Sequence, residues 1–282
     1  MVFAQGDALR DGKAERATKP LIIQAQAPLK VQRSFYPEGP EVCHTTILHT
    51  AGGMVGGDRL SIDIQAQANT KVLLTTAAAS KIYGSYGQSQ VYPQGQLAQQ
   101  QIQIKLEAGA YLEWLPQEMI VFDGAIYRQD LRVDLAPTAC WLGWEITRFG
   151  RTARGERFLS GEWRSQTEVW QQGHPVWIDR QSLNGGTAML DSPHGLAGQP
   201  VVASLIWLGQ AVDQAQIDQA RQLWLASSPQ GEAGVTELEL GLLCRYRGPS
   251  SQEAQQWFVQ VWRILRQVYW QRSVVLPRVW PL

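Results

Sequence analysis

Apolar and polar positions alternate with a period of two along much of the chain. Leu60, Ile62, Ile64 and Ala66 are separated by Ser61, Asp63 and Gln65; Ile102, Ile104 and Leu106 by Gln103 and Lys105; Leu131, Val133 and Leu135 by Arg132 and Asp134. Successive strand side chains point to opposite faces, so this spacing predicts strands with one face in a core and the other in water. Many such runs follow at short spacing, broken by Gly and Pro, without helical periods between them. The pattern predicts a mainly β fold with layered or β-helix-like, antiparallel-rich sheets.

The period becomes helical twice, both times late in the chain. Asp213 predicts the cap of a helix running to Ala226, with Ile217, Ala220 and Trp224 on one face. Ser250 and Glu253 have capping-box spacing ahead of Trp257, Val261, Ile264, Leu265 and Val268. Phe258, Trp262 and Tyr269 widen that stripe, which predicts a helix covered on more than one side, by core or by a partner. Residues 1–18 show no period and are expected to be a disordered tail, leaving 19–282 as a single β-rich domain.

Composition narrows the function classes. Of the 282 residues only 18% are charged, and 25 basic residues balance 25 acidic ones. Without a clustered basic run, counterion release from a nucleic-acid backbone has nothing to work with, so no nucleic-acid partner is expected. Twelve tryptophans in so uncharged a chain suggest that a partner covers some apolar surface. Cys43, Cys140 and Cys244 are far apart with no CxxC pair, which excludes a disulfide framework and a structural zinc site. The first 20 residues carry no apolar leader, and Pro200 to Val212 is shorter than the roughly 20 residues that span a bilayer. A soluble, cytoplasmic protein with no membrane partner is expected.

The densest signal is the stretch from His49 to Leu60, HTAGGMVGGDRL, in which Gly52, Gly53, Gly56 and Gly57 shape the backbone. Four glycines so close together predict positive φ or close approach of another group. Gly52 and Gly57 have the GxxxxG spacing of a P-loop, but Asp58-Arg59 stands where Lys-Ser/Thr is required, and Leu60 onward reads as a strand. A carboxylate there would repel phosphate, so the P-loop reading fails.

With Phe35-Tyr36-Pro37-Glu38 and Cys43-His44 ahead of it, the glycine stretch resembles the signature of the UreD (UreH) family of urease accessory proteins. The resemblance continues through Ala79-Ser80-Lys81-Ile82-Tyr83, Leu112 to Glu118, Gly150-Arg151, Gly155-Glu156 and Leu276-Pro277-Arg278-Val279-Trp280. Two departures are Thr50-Ala51, where the family often carries prolines, and the N-terminal tail. The resemblance implies a mainly β protein with two helices, no catalytic activity and no tightly bound cofactor. It implies a scaffold that assembles with UreF and the GTPase UreG, docks on the urease apoprotein and supports GTP-dependent nickel insertion, with nickel delivered by way of UreE.

Nickel in transit suits weak oxygen or isolated imidazole ligands better than a thiolate cage. Asp58 ends the glycine turn, Glu145 lies between Trp144 and Ile146, and Asp179 follows Val176-Trp177-Ile178. All three fall where the family pattern is acidic, and a carboxylate among apolar neighbours must find a partner if buried. Two readings stay open: the three line a transient Ni2+ path, or they form salt bridges with arginines such as Arg148, Arg151 or Arg180. Strand alternation keeps Cys43 and His49 apart from His44, so these three predict no fixed metal site. His174 and His194 read as turn histidines. Arg148, Arg151, Arg154 and Arg157 are expected to pair locally with Glu145, Glu156 and Glu162, or to meet an acidic partner. The competing catalytic reading is a β-rich hydrolase with Glu118 and Asp123 as an acid/base pair.

Overall fold

A computed structural model gives the fold of residues 1–10 and 13–280. The chain enters as β1 (Val2–Arg10) and β2 (Lys13–Ile22), an antiparallel hairpin, followed by β3 (Leu29–Val31). It continues through β4 (Val42–His49), β5 (Arg59–Ala66), β6 (Lys71–Thr76), β7 (Ser80–Ile82), β8 (Ala98–Leu106), β9 (Tyr111–Leu115) and β10 (Met119–Val121). Next come β11 (Ile126–Leu135), β12 (Cys140–Phe149), β13 (Glu162–Gln171), β14 (His174–Asn184) and the short α1 (Thr187–Asp191). The last elements are β15 (Val201–Leu208), α2 (Gln214–Ala226), β16 (Glu232–Leu238), β17 (Gly241–Gly248) and α3 (Ser251–Leu265).

One sheet has the order β14-β13-β11-β8-β5-β1-β2 and the other β16-β17-β15-β12-β9-β6-β4-β3. From β4 to β13 the long strands visit the two sheets in turn, so neighbours within a sheet run parallel. Antiparallel pairs are confined to the margins, at β1–β2, β3–β4, β13–β14 and outward from β12 through β15, β17 and β16. The mainly β, layered and coil-like architecture is the one the alternation predicts. The parallel centre is not, because a coil and a hairpin impose the same period of two. β10 pairs in parallel with the end of β12, and β7 in parallel with β10, forming a small extension at one end of the second sheet.

Three layers bury the apolar positions. Between the sheets, Ile62, Ile104, Leu131 and Val169 meet Leu74, Leu112, Trp141 and Ile206. Behind the second sheet, Leu142, Trp144 and Trp207 meet Trp224 of α2 and Trp257, Phe258 and Trp262 of α3. Up to Leu265 the wide stripe of the last helix is filled by core, with Trp262 and Phe258 fully buried, whereas Val268 lies exposed in the π-helical turn after α3. β12 is covered on both faces. Its alternation sends Leu142, Trp144 and Ile146 to the helices and puts Trp141, Gly143 and Glu145 between the sheets.

Both predicted helices are present, and α1 is an addition too short for a periodic signal. Asp213 occupies the cap of α2 without a side-chain cap bond. Ser250 Oγ accepts from the Glu253 N–H at 3.2 Å, but Glu253 does not return the bond. Its carboxylate takes the N–H groups of Gln230 and Gly231 and the Tyr246 hydroxyl instead.

The described residues of the expected tail are ordered strands, which corrects the boundary at residue 18; Asp11 and Gly12 lie outside the described residues. The physical reason is anchoring rather than periodicity. Phe3 is buried between the sheets, β1 extends the edge of β5 in parallel, and Thr18 accepts from the Lys71 N–H at 3.0 Å.

A buried ion network ties the end of α3 to the sheet. Arg266, in the π-helical turn after α3, donates to both oxygens of Glu113 at 2.7 Å and to Glu38 at 2.6 Å. Glu113 also accepts from Trp262 Nε1 and the Tyr111 hydroxyl, and His44 Nε2 lies 2.6 Å from Glu38. Burial opposes charge on Glu38, but the bonds from His44 and Arg266 prevail and hold its carboxyl below the ordinary range. Arg266 and Glu113 are both 0% exposed, so losing one partner strands the other in a low dielectric. Arg266→Leu should lower stability by about 3–5 kcal/mol in urea denaturation. Adding Glu113→Leu should recover part of that loss.

Candidate functional site

Glu145 is placed by β12 in the space between the sheets, and the facing sheet answers it with neutral donors. Gln129 Nε2 on β11 donates to one carboxylate oxygen, and Ser165 Oγ on β13 reaches the other at 3.1 Å. Glu145 is half-buried and lines a space of about 50 Å³ between the sheets. Burial pushes its carboxyl up to about 7; Ser165, the Arg245 charge and Gln129 pull downward, while the Asp179 charge adds to the rise. Such a group sits on the edge between protonated and charged at neutral pH. It can accept a cation by giving up a proton.

Asp179 on β14 lies close enough to Glu145 to couple with it, and both line a small gap with Thr167, Trp177 and Ser204. The pairing of Asp179 is settled by Arg245 on β17, whose Nη2 stands 2.8 Å away, while Gln181 donates at 2.7 Å. The salt-bridge reading thus holds for Asp179, with a partner from the opposite sheet rather than the arginines near it in sequence. Asp58 stands apart. Its carboxylate accepts from the Val55 N–H at 2.8 Å, closing the glycine turn, and it lines none of the cavities described here.

Three adjoining spaces share lining residues, beginning beside the glycine turn. The outer chamber, about 270 Å³, is lined by His49, Gly52, Gly53, Thr76, Ser80 and Gln100 among others. Thr76, Ser80 and Gln100 also line the middle one, about 50 Å³, together with Gln117, Gln129, Glu145 and Ser165. Glu145 is shared in turn with the small gap beside Asp179, about 10 Å³, room for a single water. Most of the lining is apolar; its polar groups are amides and hydroxyls together with the carboxylates of Glu145 and Asp179, and Lys81 borders the chamber at the glycine turn. His49 Nε2 is buried without a hydrogen-bond partner, leaving an uncommitted imidazole nitrogen in a residue that lines the outer chamber.

The glycines shape this chamber by contact. A Cβ on Gly53, at φ +154°, would stand 2.6 Å from the Lys81 carbonyl oxygen, where Met54 N–H now bonds at 2.8 Å. One on Gly56 would meet Ser85 Cβ at 2.7 Å and the Gln96 carbonyl at 2.8 Å. The turn is pressed onto β7 and the segment before β8, and only glycine permits it.

The remaining candidates are dispersed. Cys43 contacts Tyr36 and Thr45, and His44 serves Glu38, so with His49 they form no cluster; no group of three or more His, Cys, Asp or Glu side chains that could hold a metal ion occurs among the described residues. Asp123 accepts the N–H groups of Leu159 and Ser160 at 2.7 Å, a loop-holding role, while Glu118 pairs with Arg148 at 3.8 Å. Arg151 pairs with Glu156 as expected, but Arg157 takes Asp191, Glu162 takes Arg164, and Glu145 takes none of the series. Gln129, Ser165, Gln100 and Arg245 escaped the sequence reading, because nothing in an isolated strand marks which neutral residue faces a carboxylate across a sheet.

The family model described as "UreD urease accessory protein" matches residues 8–281. The chain belongs to the UreD family of urease accessory proteins. The Urease accessory protein UreD of Nostoc sp. (strain PCC 7120) is 59% identical over 269 residues, covering 95% of this chain and 92% of the relative. That of Nostoc punctiforme is 58% identical over 94% of this chain and 91% of its own length. A more distant UreD, from Synechococcus sp. (strain RCC307), is 43% identical over 91% and 83%. The UreD match takes in part of the N-terminal hairpin, in keeping with its place in the fold.

The raised Glu145 value has a sign that can be measured. The folded state holds the proton more tightly than the unfolded chain, whose value is the ordinary 4.5, so the favourable contribution is complete below 4.5 and is lost as pH rises through about 7. Glu145→Gln cannot ionise and escapes this loss. Its stability relative to the parent should increase between pH 5 and pH 8 by on the order of 3 kcal/mol, read by denaturant melts at the two pH values. Separately, Gly53→Ala should lower the thermal midpoint at any pH, since its Cβ has no room beside Lys81.

Proposed function

We propose that this UreD-family chain is a non-catalytic scaffold of urease maturation that also gives nickel a guided path. In this reading it docks on the urease apoprotein together with UreF and the GTPase UreG, receives nickel that UreE supplies, and leaves GTP hydrolysis to its partner. Two features of the chain itself support that division of labour: the glycine stretch ends in Asp58-Arg59 rather than a phosphate-binding Lys-Ser, and Asp123 is committed to holding the Leu159–Ser160 loop. No helix among the described residues is long and apolar enough to cross a membrane, and a cytoplasmic setting is part of the proposal.

The observation that carries the nickel reading is the group of adjoining spaces that reach Glu145. Hydroxyl and amide oxygens hold a divalent cation weakly and exchange it readily, whereas a resident site would gather three or four strong ligands. His49 offers one imidazole at the outer chamber, and Glu145 offers a carboxylate whose charge appears as the cation arrives. Asp179 acts at one remove, by its field on Glu145, and Asp58 by holding the turn that walls the chamber. Nickel is here cargo and not a cofactor.

The test is co-expression of urease subunits and their accessory proteins with this chain or with Glu145→Gln. Co-purification of the assembly should be unchanged. Nickel per urease should fall by about tenfold, the equivalent of one lost contact of about 1.4 kcal/mol. Full nickel loading by the variant would remove Glu145 from the path, and failure to co-purify urease with the parent chain would remove the scaffold reading as well.

A further inference from the structure

Next to the glycine turn, at the carboxyl ends of β7, β10 and β12, lies an open groove of about 600 Å³ that meets the nickel reading's chamber only at Lys81. The three strands are parallel and in register, with Lys81 and Arg148 flanking Ile120 on either side. The turn that follows β12 adds Arg151 and Arg154, and Tyr83 and Phe122 complete the lining. Four cations therefore face one concavity. Two of them are compensated, Arg151 by Glu156 and Arg148 more loosely by Glu118, whereas Lys81 and Arg154 are exposed and make no side-chain ion pair or hydrogen bond among the described residues. In a chain whose formal net charge is zero, this is a local excess of two positive charges.

The arrangement is held in advance of any partner. Arg148 is fixed by Thr152 Oγ1 at 2.8 Å, Ser251 Oγ at 3.2 Å and the Pro249 carbonyl. Arg151 lies over the Phe122 ring at 4.6 Å, and Tyr83 meets the same ring edge-on at 5.0 Å. These contacts discriminate between occupants. A free cation is repelled. A nucleic acid wants open aromatic faces for stacking and many phosphate contacts, but one face of Phe122 is taken by Arg151 and only two cations are uncommitted. A short protein segment fits better: carboxylates can pair with Lys81 and Arg154 while their methylene stems rest on Ile120 and Tyr83.

We propose that this groove, built by Lys81, Arg148, Arg151 and Arg154, is a docking site for an acidic segment of a protein partner. The groove shares Lys81 with the chamber at the glycine turn, and the test contains neither nickel nor urease, so its outcome does not depend on the nickel reading. Fluorescence anisotropy of the purified full-length chain is measured with a labelled octapeptide of alternating Glu and Ser. The same peptide with Gln for Glu, a labelled oligothymidylate and competing inorganic phosphate serve as the other probes. The Glu peptide should bind at low salt and weaken as salt rises. The double variant Lys81→Glu/Arg154→Glu should bind it about tenfold less well, and Lys105→Glu, on an exposed position of the other sheet, should not differ from the parent. Equal melting temperatures of the variants would confirm that the fold is intact. Absence of binding by the Glu peptide, equal binding of the Gln peptide, or indifference to the double reversal would overturn the proposal. Preference for the oligonucleotide, or full displacement by phosphate, would overturn it too, assigning the groove to phosphate chemistry.

Discussion

A carboxylate taken out of water has to be answered by something, and this fold answers two of them in opposite ways. Glu113, on the helix side of the second sheet, meets a bidentate arginine, an indole N–H and a phenol. Glu145, on the other side of the same sheet, meets only an amide and a hydroxyl, and the nearest arginine is spent on Asp179. The first arrangement is closed and locks the end of α3 to β9 and the segment around Glu38. The second is incomplete and opens on a cavity. The nickel path we propose relies on that incompleteness, because a fully paired carboxylate has no capacity left for a cation.

The coiled winding of the chain is what makes this placement stable. With β12 buried on both faces, a single residue step decides whether a side chain meets the helices or the opposite sheet. Trp144 and Ile146 fill one side, and Glu145 is forced to the other, where Gln129 and Ser165 come from parallel neighbours β11 and β13. The glycine turn contributes the outer wall by pressing against β7, so backbone contact and cavity are parts of one feature. Belonging to the UreD family gives this feature its setting, urease maturation.

Much of the architecture could be read from periodicity alone. Strands such as Arg59–Ala66 and Ile126–Leu135 alternate cleanly because one face meets the core, and Ser250 announced α3 through its cap. The N-terminal hairpin left no such trace, since it is held by a few anchors, Phe3 and Thr18, and by backbone pairing. Parallel pairing was invisible for a different reason: alternation reports burial, not strand direction. At the candidate site, Glu145 stood out as an acid in an apolar run, but Arg245 as the partner of Asp179 is a contact between sheets that no local pattern encodes. Asp58 was noticed for its place beside the glycines, and its work proved to be closing that turn.

The most direct measurement is infrared difference spectroscopy of the purified chain on adding Ni2+ at pH 7, with Glu145→Gln as reference. If Glu145 waits partly protonated for a cation, nickel should bleach a protonated carboxyl band, raise a carboxylate band and release protons, and the variant should lack that component. An unchanged carboxyl region, or the same change in the variant, would contradict the account.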